Sequence, residues 1–398
     1  MSMFRLLLAC TALAFATPVA AGPLEEANEI YKSGDLKAAY RFGLQRLEAC
    51  DYDTAFRLFR RLGATDSMAA AQDKIGRMFE EGLGVPQNFE QALNWYQMAA
   101  MQGDPEGQEG MGAMYQKGRG VERNYALALQ WYQKAIGTGS VKAEERLASM
   151  YLAGEGVVQD FAEAAKWYRR AADKGNARAQ ERLGMLYQTG RGVGADLKEA
   201  AAWYRKAADQ KNPEAQEALG TLLRQGQGVA KDPVAARRWY ASAAQLGNAQ
   251  AETALWQMYE QGEGPKDEAF AWNKALAEKG RARSQRTLGR MFEKGEAGRQ
   301  NDTVAALWYR LAADQGDLEA QLALAKMYRH GKGVPQDNTE AYIWFMLVMI
   351  GSSPDASSGI DLAGQAKVEL RRLSQFMPPS AVSEAKRRAL AWKPVVRQ

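Results

Sequence analysis

The chain has 398 residues, of which 46% are hydrophobic and 25% charged, and it contains only 12 Pro. This composition excludes an extended disordered chain and a collagen-like chain. The formal net charge of +5 is small and both signs are interspersed, which argues against a nucleic-acid-binding protein and against a membrane-surface protein. One His and two Cys provide little material for a metal site, a disulfide framework or imidazole catalysis. We therefore expect no metal, no cofactor and no enzymatic activity.

Residues 1–21 are typical of a secretory signal peptide. Arg5 precedes an apolar run from Leu6 to Ala16, and small residues end at Ala21, where signal peptidase would cleave. This run is shorter than the roughly 20 residues of a membrane-spanning helix, and no later run reaches that length, so no membrane span is expected. Cys10 comes too early in the apolar run to favour a lipoprotein site. The sequence predicts a secreted, periplasmic protein without a lipid anchor.

The remaining chain is organised as an internal repeat, and a repeat of this length decides the fold. Tryptophans recur at intervals of 36 residues, with one interval of 33: Trp95, Trp131, Trp167, Trp203, Trp239, Trp272, Trp308 and Trp344. Phe59 stands one interval before Trp95 and indicates a diverged additional unit. A second column has the same period: Ile75, Met111, Leu147, Leu183, Leu219, Leu255, Leu288 and Leu324.

Capping residues predict two helices in each unit. The first helix ends at a Gly, which can adopt the left-handed conformation of a helix C-cap: Gly82, Gly118, Gly154, Gly190, Gly226, Gly262, Gly295 and Gly331. The second helix opens at an N-capping Asn or Asp: Asn88, Asn124, Asp160, Asp196, Asp232, Asn301 and Asp337. Two helices of about a dozen residues each cannot enclose a core alone, so the units must stack. The sequence predicts an all-α fold, an α/α superhelical solenoid with a concave inner face.

The repeated motif resembles the repeat of a known protein family. The unit that runs from Ala179-Gln180 through Trp203-Tyr204 to Ala207-Ala208 is similar to the Sel1-like repeat, a relative of the tetratricopeptide repeat. The resemblance covers residues 68–350. It implies a scaffold for protein complexes, and for a bacterial envelope member it implies a regulator or scaffold of envelope proteins. A branch associated with penicillin-like compounds has a Cys pair in each repeat, which this chain lacks.

The two ends of the array differ from its middle. Residues 22–67 resemble a tetratricopeptide-type capping hairpin followed by the diverged unit, and residues 351–398 are predicted to form closing helices, the first from Asp361 to Phe376. The apolar run Ile343–Ile350 is expected to lie beneath them. The unit around Trp272 lacks three residues and has Arg281 where other units have an N-cap, which predicts a kink or a mobile joint between residues 262 and 300.

Charged residues on the first helices are the candidate partner-binding residues. Acidic residues stand two positions before the Leu column in five successive units: Asp73, Glu109, Glu145, Glu181 and Glu217. The sign reverses in a later first helix, which carries Arg281, Arg283, Arg286 and Arg290. If these residues line the inner face, that face is electrically split and could orient a charged partner. The alternative is that they are ordinary solvated helix positions.

Three functions are compatible with these patterns. We expect a scaffold, adaptor or regulator in the cell envelope that binds a protein or peptide through the concave face. The alternative is a module that binds the cell wall or an exported polysaccharide, because recurring Trp could stack on sugars, although their position favours packing between helices. Hydrolysis of a wall-related amide is less favoured, because no nucleophile and base can be identified.

Overall fold

The computed structural model describes residues 22–296, 300–352 and 361–395. The predicted signal segment, residues 1–21, lies outside these residues, and so do residues 353–360, which make up most of the expected Ser- and Gly-rich loop from Gly351 to Gly359. The described residues form 21 helices and contain no strand. The helices are α1 (Pro23–Lys32), α2 (Leu36–Glu48), α3 (Tyr52–Ala64), α4 (Ala69–Glu81), α5 (Phe89–Met101), α6 (Pro105–Lys117), α7 (Tyr125–Gly137), α8 (Val141–Ala153), α9 (Phe161–Asp173), α10 (Ala177–Thr189), α11 (Leu197–Asp209), α12 (Pro213–Gln225), α13 (Pro233–Gln245), α14 (Ala249–Glu260), α15 (Lys266–Glu278), α16 (Ala282–Lys294), α17 (Asp302–Ala313), α18 (Leu318–His330), α19 (Asn338–Gly351), α20 (Leu362–Phe376) and α21 (Pro379–Ala391).

The chain divides into two compact units, Met1–Leu255 and Trp256–Gln398. Within each unit, helices that are consecutive in the chain pack as hairpins, and successive hairpins stack. The all-α solenoid of paired helices is therefore confirmed. The boundary between the units falls inside α14, and the kink or joint expected between residues 262 and 300 stays a prediction.

Local capping explains where the helices begin and end. The Asp196 carboxylate accepts hydrogen bonds from the backbone N–H groups of Lys198 at 2.8 Å and Glu199 at 3.1 Å, so it satisfies two donors at the start of α11. Gly190 ends α10 in the left-handed conformation with φ of 67°. Both kinds of cap recur along the array. Arg281, in contrast, makes no side-chain capping hydrogen bond at the start of α16, as expected from its replacement of a capping residue.

A glycine facing a tyrosine sets the distance between the two helices of a hairpin. A Cβ on Gly184 would lie 2.8 Å from the Tyr204 ring, so the ring packs directly against the backbone of α10. The Tyr204 hydroxyl donates to Gln188 Oε1 at 2.7 Å, which satisfies the polar end of a buried side chain. The same contact recurs at other hairpins, in the pairs Gly76–Tyr96, Gly112–Tyr132, Gly220–Tyr240 and Gly289–Tyr309.

Buried glutamines tie one hairpin to the next. Gln180 donates to the carbonyl oxygen of Ala172 at 3.0 Å, near the end of the preceding second helix, and accepts a hydrogen bond from Gln210 at 2.8 Å. Gln216 makes the equivalent donation to Ala208 at 3.0 Å. The side-chain oxygen of Gln216, Oε1, is buried and has no hydrogen-bond partner in the described residues. The reason is that Leu246, which has no side-chain donor, stands where Gln210 stands relative to Gln180. We call this series the glutamine ladder.

Further helices pack against the repeated hairpins near each end of the described chain. The predicted helix that begins at Asp361 is present as α20, with the Asp361 carboxylate capping its first turn. Most of the apolar run Ile343–Ile350 is buried in a cluster with residues of α20 and α21. The rings of Trp344 and Trp392 pack edge to face with centroids 6.3 Å apart. At the other end, α1, α2 and α3 share a core that contains Phe59.

Candidate functional site

The five acidic candidates lie on five successive first helices, α4, α6, α8, α10 and α12, but they are not solvated. Asp73, Glu109, Glu145 and Glu181 are all buried, and Glu217 is half-buried. An acidic stripe open to solvent is therefore not present at these positions, and the expectation of ordinary solvated positions is also wrong for four of the five. A buried carboxylate requires compensating charge or hydrogen bonds, so the partners of these groups decide what the surface can do.

Most of these carboxylates are compensated within the first unit. The Asp73 carboxylate lies 2.8 Å from Lys74 Nζ, and that of Glu217 accepts a hydrogen bond from the Thr221 hydroxyl at 3.0 Å. Pairs between successive first helices involve Glu109, which contacts Lys142 and Arg146, and Glu145, which contacts Arg178 at 3.2 Å. Glu181 contacts Arg182 of its own helix at 3.2 Å.

The same column contains two opposite electrostatic environments. Burial acts to raise the pKa of Glu109, but Lys142 and Arg146 overcome this and hold the pKa below its ordinary value. Burial raises the pKa of Glu181, and the carboxylates of Glu214 and Glu145 add to the increase, although Arg182 opposes it. Membership in one sequence column therefore does not fix the charge that a partner would meet.

The arginine candidates belong to the second unit and are engaged there. Arg281 and Arg283 are exposed, and the Arg283 guanidinium stacks on the ring of Trp256. Arg286 forms ion pairs with Glu319 and, at 3.4 Å, with Asp317. The Arg290 guanidinium lies 3.7 Å from Glu260. The four arginines lie on or beside one helix as predicted, and these contacts of Arg283, Arg286 and Arg290 are with groups of their own unit.

A pocket of about 460 Å³ lies along α4, α6 and α8 in the first unit. This volume is in the range of ligand-binding pockets, roughly 300–1,000 Å³. Two of the acidic candidates, Asp73 and Glu109, line it. The other ionised groups of the lining are three acidic residues and six basic residues: Glu80, Glu81, Glu106, Lys74, Arg77, Lys117, Arg119, Lys142 and Arg146. The pocket is therefore lined by charges of both signs, with cations in slight excess.

One part of this pocket has an uneven charge balance. We call Lys117, Arg119, Lys142 and Arg146 the cationic cluster. Its four positive charges share two carboxylates, those of Glu80 and Glu109. Glu80 Oε1 accepts a hydrogen bond from the Arg119 guanidinium at 2.8 Å, and Glu80 Oε2 accepts one from the Tyr96 hydroxyl at 2.9 Å. Both oxygens of Glu109 are likewise occupied, by Lys142 and Arg146.

Sequence reasoning missed the cationic cluster, although its spacing carried a signal. Lys142 and Arg146 follow Glu109 by 33 and 37 residues, one on each side of the 36-residue period. Residues at these offsets occupy neighbouring first helices. A search for opposite charges at these two offsets would have paired Glu109 correctly. Within a single column only the acidic members stand out, because their basic partners occupy other columns.

The recurring tryptophans are less deeply buried than predicted. Trp203 and Trp344 are buried, whereas the other six are half-buried: Trp95, Trp131, Trp167, Trp239, Trp272 and Trp308. Cationic side chains lie over some of these rings, such as Lys134 Nζ at 4.4 Å from the centroid of Trp131 and the Arg170 guanidinium at 4.6 Å from that of Trp167. The indoles thus contribute to packing, and a second ring face is often covered by a basic side chain.

Metal-binding clusters, membrane-spanning helices and the single histidine are the remaining chemical features of the chain. No cluster of three or more His, Cys, Asp or Glu side chains within residues 22–296, 300–352 and 361–395 could hold a metal ion. Within the same ranges, no helix combines the length and the apolar character that a bilayer crossing requires. His330, which stands out by composition, is an exposed residue at the end of α18.

Comparison with known proteins gives a consistent result. The Sel1 repeat model matches nine segments, residues 31–63, 69–104, 105–136, 141–176, 177–212, 213–248, 247–280, 282–317 and 318–345. No curated protein matches the chain.

Three solved structures illustrate the similarity. A protective antigen of uropathogenic Escherichia coli with an SLR fold is 25% identical, with 98% of this chain and 91% of that chain covered and a TM-score of 0.44. A Sel1 repeat protein from Oxalobacter formigenes is 34% identical over 55% of this chain and 89% of that chain, with a TM-score of 0.46. An immunity protein from Pseudomonas aeruginosa is 21% identical over 60% of this chain and 85% of that chain, with a TM-score of 0.39.

The family model accounts for most of the chain, from the diverged unit around Phe59 to the helix that contains Trp344. Sel1 repeats generally build non-catalytic scaffolds that mediate protein–protein interactions. This chain belongs to the Sel1 repeat family.

Proposed function

We propose that the protein is a non-catalytic scaffold or regulator of the bacterial cell envelope that binds a protein partner through the pocket along α4, α6 and α8. The observation that carries this proposal is the pocket itself, which combines a binding-site volume with a dense lining of charged side chains. Its walls are first helices, the helices that we expected to form the inner face. The envelope location rests on the secretory signal predicted in residues 1–21.

Some of the pocket residues are not repeated in the neighbouring unit, in contrast to the residues that hold the hairpins together. The facing Gly and Tyr are found in most hairpins. One period after Lys117 and Arg119, however, stand Ala153 and Glu155. One period before Lys142 stands Glu106. Stacking of hairpins does not require this particular set of charges, which supports a role in recognition.

A protein partner fits this lining better than a polysaccharide does. The alternating charges can be matched by a peptide that carries both signs, since electrostatic complementarity gives specificity. Sugar binding by aromatic stacking needs accessible ring faces. The half-buried indoles offer few, because residues such as Lys134 and Arg170 lie over them. We therefore favour the scaffold over the polysaccharide-binding module.

Site-specific photo-crosslinking in the native host tests this proposal. A photoreactive residue at Glu106, an exposed position in the pocket lining, should give a covalent adduct with an envelope protein. Gln250 is the matched control, because it has the same repeat register and is exposed but does not line the pocket. Equal crosslinking from both positions, or none from Glu106, would contradict the proposal. Fractionation of the same cells tests the periplasmic location.

A further inference from the structure

Lys117 differs from the other members of the cationic cluster, because it faces a carboxylate that is already occupied. Its Nζ lies 3.7 Å from Glu80 Oε1, too far for a hydrogen bond, while Arg119 contacts the same oxygen at 2.8 Å. The side chain of Lys117 retains 37% of its exposure, so its ammonium group can reach a ligand. An ammonium group carries three donors, and this geometry leaves them available.

Positive charges outnumber negative charges around Lys117. Glu80 and Glu109 offset only two of the four charges of the cationic cluster. The Glu145 carboxylate also attracts Arg146, but it forms an ion pair with Arg178 at 3.2 Å. Counting Glu145 and Arg178 together adds one negative and one positive charge, so the excess of two positive charges remains. Burial together with the neighbouring Arg146 and Arg119 lowers the pKa of Lys117, although Glu80 opposes this. An anion placed here would relieve the repulsion among these cations.

The rest of the lining limits what that anion can belong to. Asp73 and Glu81 are paired with Lys74 and Arg77, but Glu106 is exposed at the same pocket. A uniformly anionic polymer would place negative charges against Glu106 as well as against the cationic cluster. A peptide can place one carboxylate at the cluster and a neutral or basic residue beside Glu106. Repulsion of the wrong ligand thus adds to attraction of the right one.

We propose that the cationic cluster docks a carboxylate side chain of an acidic peptide segment in the protein partner, and that Lys117 is the specificity-determining contact. This inference rests on the proposed function.

Fluorescence anisotropy with the full chain and defined peptides tests the inference. The probes are a labelled decapeptide of alternating Glu and Ser and its counterpart of alternating Lys and Ser. The Glu peptide should bind more tightly than the Lys peptide and should weaken as salt is raised from about 50 to 300 mM. Lys117→Gln should weaken binding of the Glu peptide about fivefold and Lys117→Glu about twentyfold, since charge complementarity is lost and then reversed.

Lys294→Gln is the matched control, because Lys294 also ends a first helix immediately before the C-capping Gly but lies outside the pocket. It should change the affinity less than about twofold. Equal effects of Lys117→Gln and Lys294→Gln, preference for the Lys peptide, or equally tight binding of polygalacturonate would each overturn the inference. Unchanged thermal unfolding of the variants shows that the fold is intact.

The crosslinking assay separates this inference from the proposed function. If the photoreactive residue at Glu106 captures a protein and Lys117→Glu abolishes the capture, the inference is supported. If capture persists undiminished in Lys117→Glu, the inference fails while the proposed function stands. If the unmodified pocket captures nothing, the proposed function itself fails.

Discussion

The step from α6 to α8 and the step from α10 to α12 use the same sequence positions and have opposite electrostatics. Glu109 on α6 meets Lys142 and Arg146 on α8. Glu181 occupies the same position on α10, but the corresponding residues on α12 are Glu214 and Ala218. Both carboxylates are buried, at 3% and 8% of full residue exposure. In a repeat array, the charge of a column therefore depends on what the next repeat contributes, and like residues can stabilise one step and strain another.

Glu109→Gln should produce the largest effect in this comparison. The substitution leaves Lys142 and Arg146 without their carboxylate, and breaking a buried ion pair costs about 3–5 kcal/mol. The side chains of Lys142 and Arg146 retain 55% and 21% exposure, so solvent reduces the expected loss to about 2 kcal/mol. Urea unfolding measures it. Glu217→Gln is the control in the half-buried position, with a change of less than about 0.5 kcal/mol; equal losses in both variants would show that the pairing is unimportant.

The cost of Glu109→Gln should depend on pH in a defined direction. The folded pKa of Glu109 is lowered from 4.5, so its stabilisation is complete above that value and is lost as pH falls through the lowered pKa. The difference in unfolding free energy between the wild-type protein and the variant should be constant from pH 7 to pH 5. It should shrink by about 1 kcal/mol in more acidic solution. A difference that already declines between pH 7 and pH 5 would contradict the lowered pKa.

Glu181→Gln should act in the opposite direction. The folded pKa of Glu181 is raised from 4.5, so its contribution to stability is greatest below that value and is lost as pH rises through the raised pKa. Neutralising the side chain should therefore stabilise the protein at pH 7 by about 0.5 kcal/mol. The gain should shrink towards zero near pH 4, where the carboxyl group is largely protonated in both states. Destabilisation at pH 7 would show that the Arg182 pair outweighs the burial of Glu181.

Glu214→Lys should make the second step resemble the first. The new ammonium group would occupy the register that Lys142 has relative to Glu109, so it should stabilise the protein by about 0.3 kcal/mol. A thermal unfolding midpoint that rises slightly at low salt, and less at 1 M salt, is the expected result. Glu90→Lys provides the control, because it makes the same change of charge at an exposed position of α5, a second helix. An equal rise in both variants would indicate a general charge effect.

Much of the fold could be predicted from the sequence, because it depends on local signals. An Asp such as Asp196 caps its own helix, and a Gly such as Gly190 ends its own helix, so no knowledge of neighbouring repeats is needed. The pocket could not be predicted in this way. Its charges come from three helices, and the pairing of Glu109 became apparent only when the stacking offset of successive first helices was known.

The irregular hairpin around Trp256 and Asn273 in the second unit shows that equivalent positions of the repeat must be compared with one another and not examined singly. Trp256 stands where other hairpins have the close-contact Gly, and Asn273 stands where they have Tyr. The large ring is thus supplied by the first helix instead of the second. Asn273 is buried with its Oδ1 atom unpartnered in the described residues, although its amide donates to Ala269 at 2.9 Å. Considered alone, each replacement resembles random divergence. Considered together, they show that the large side chain and the small side chain have exchanged helices.

The glutamine ladder has a mechanical consequence for the first unit. Each complete link fixes one hairpin on the next through buried amide hydrogen bonds, and in a linear array stability is the sum of such nearest-neighbour terms. The link at Gln216 is half made, since Leu246 offers no donor. Fraying that begins at the Leu255 end of the unit should therefore stop at Gln180, the next fully bonded link, and amide hydrogens of α13 should exchange with solvent sooner than those of α11.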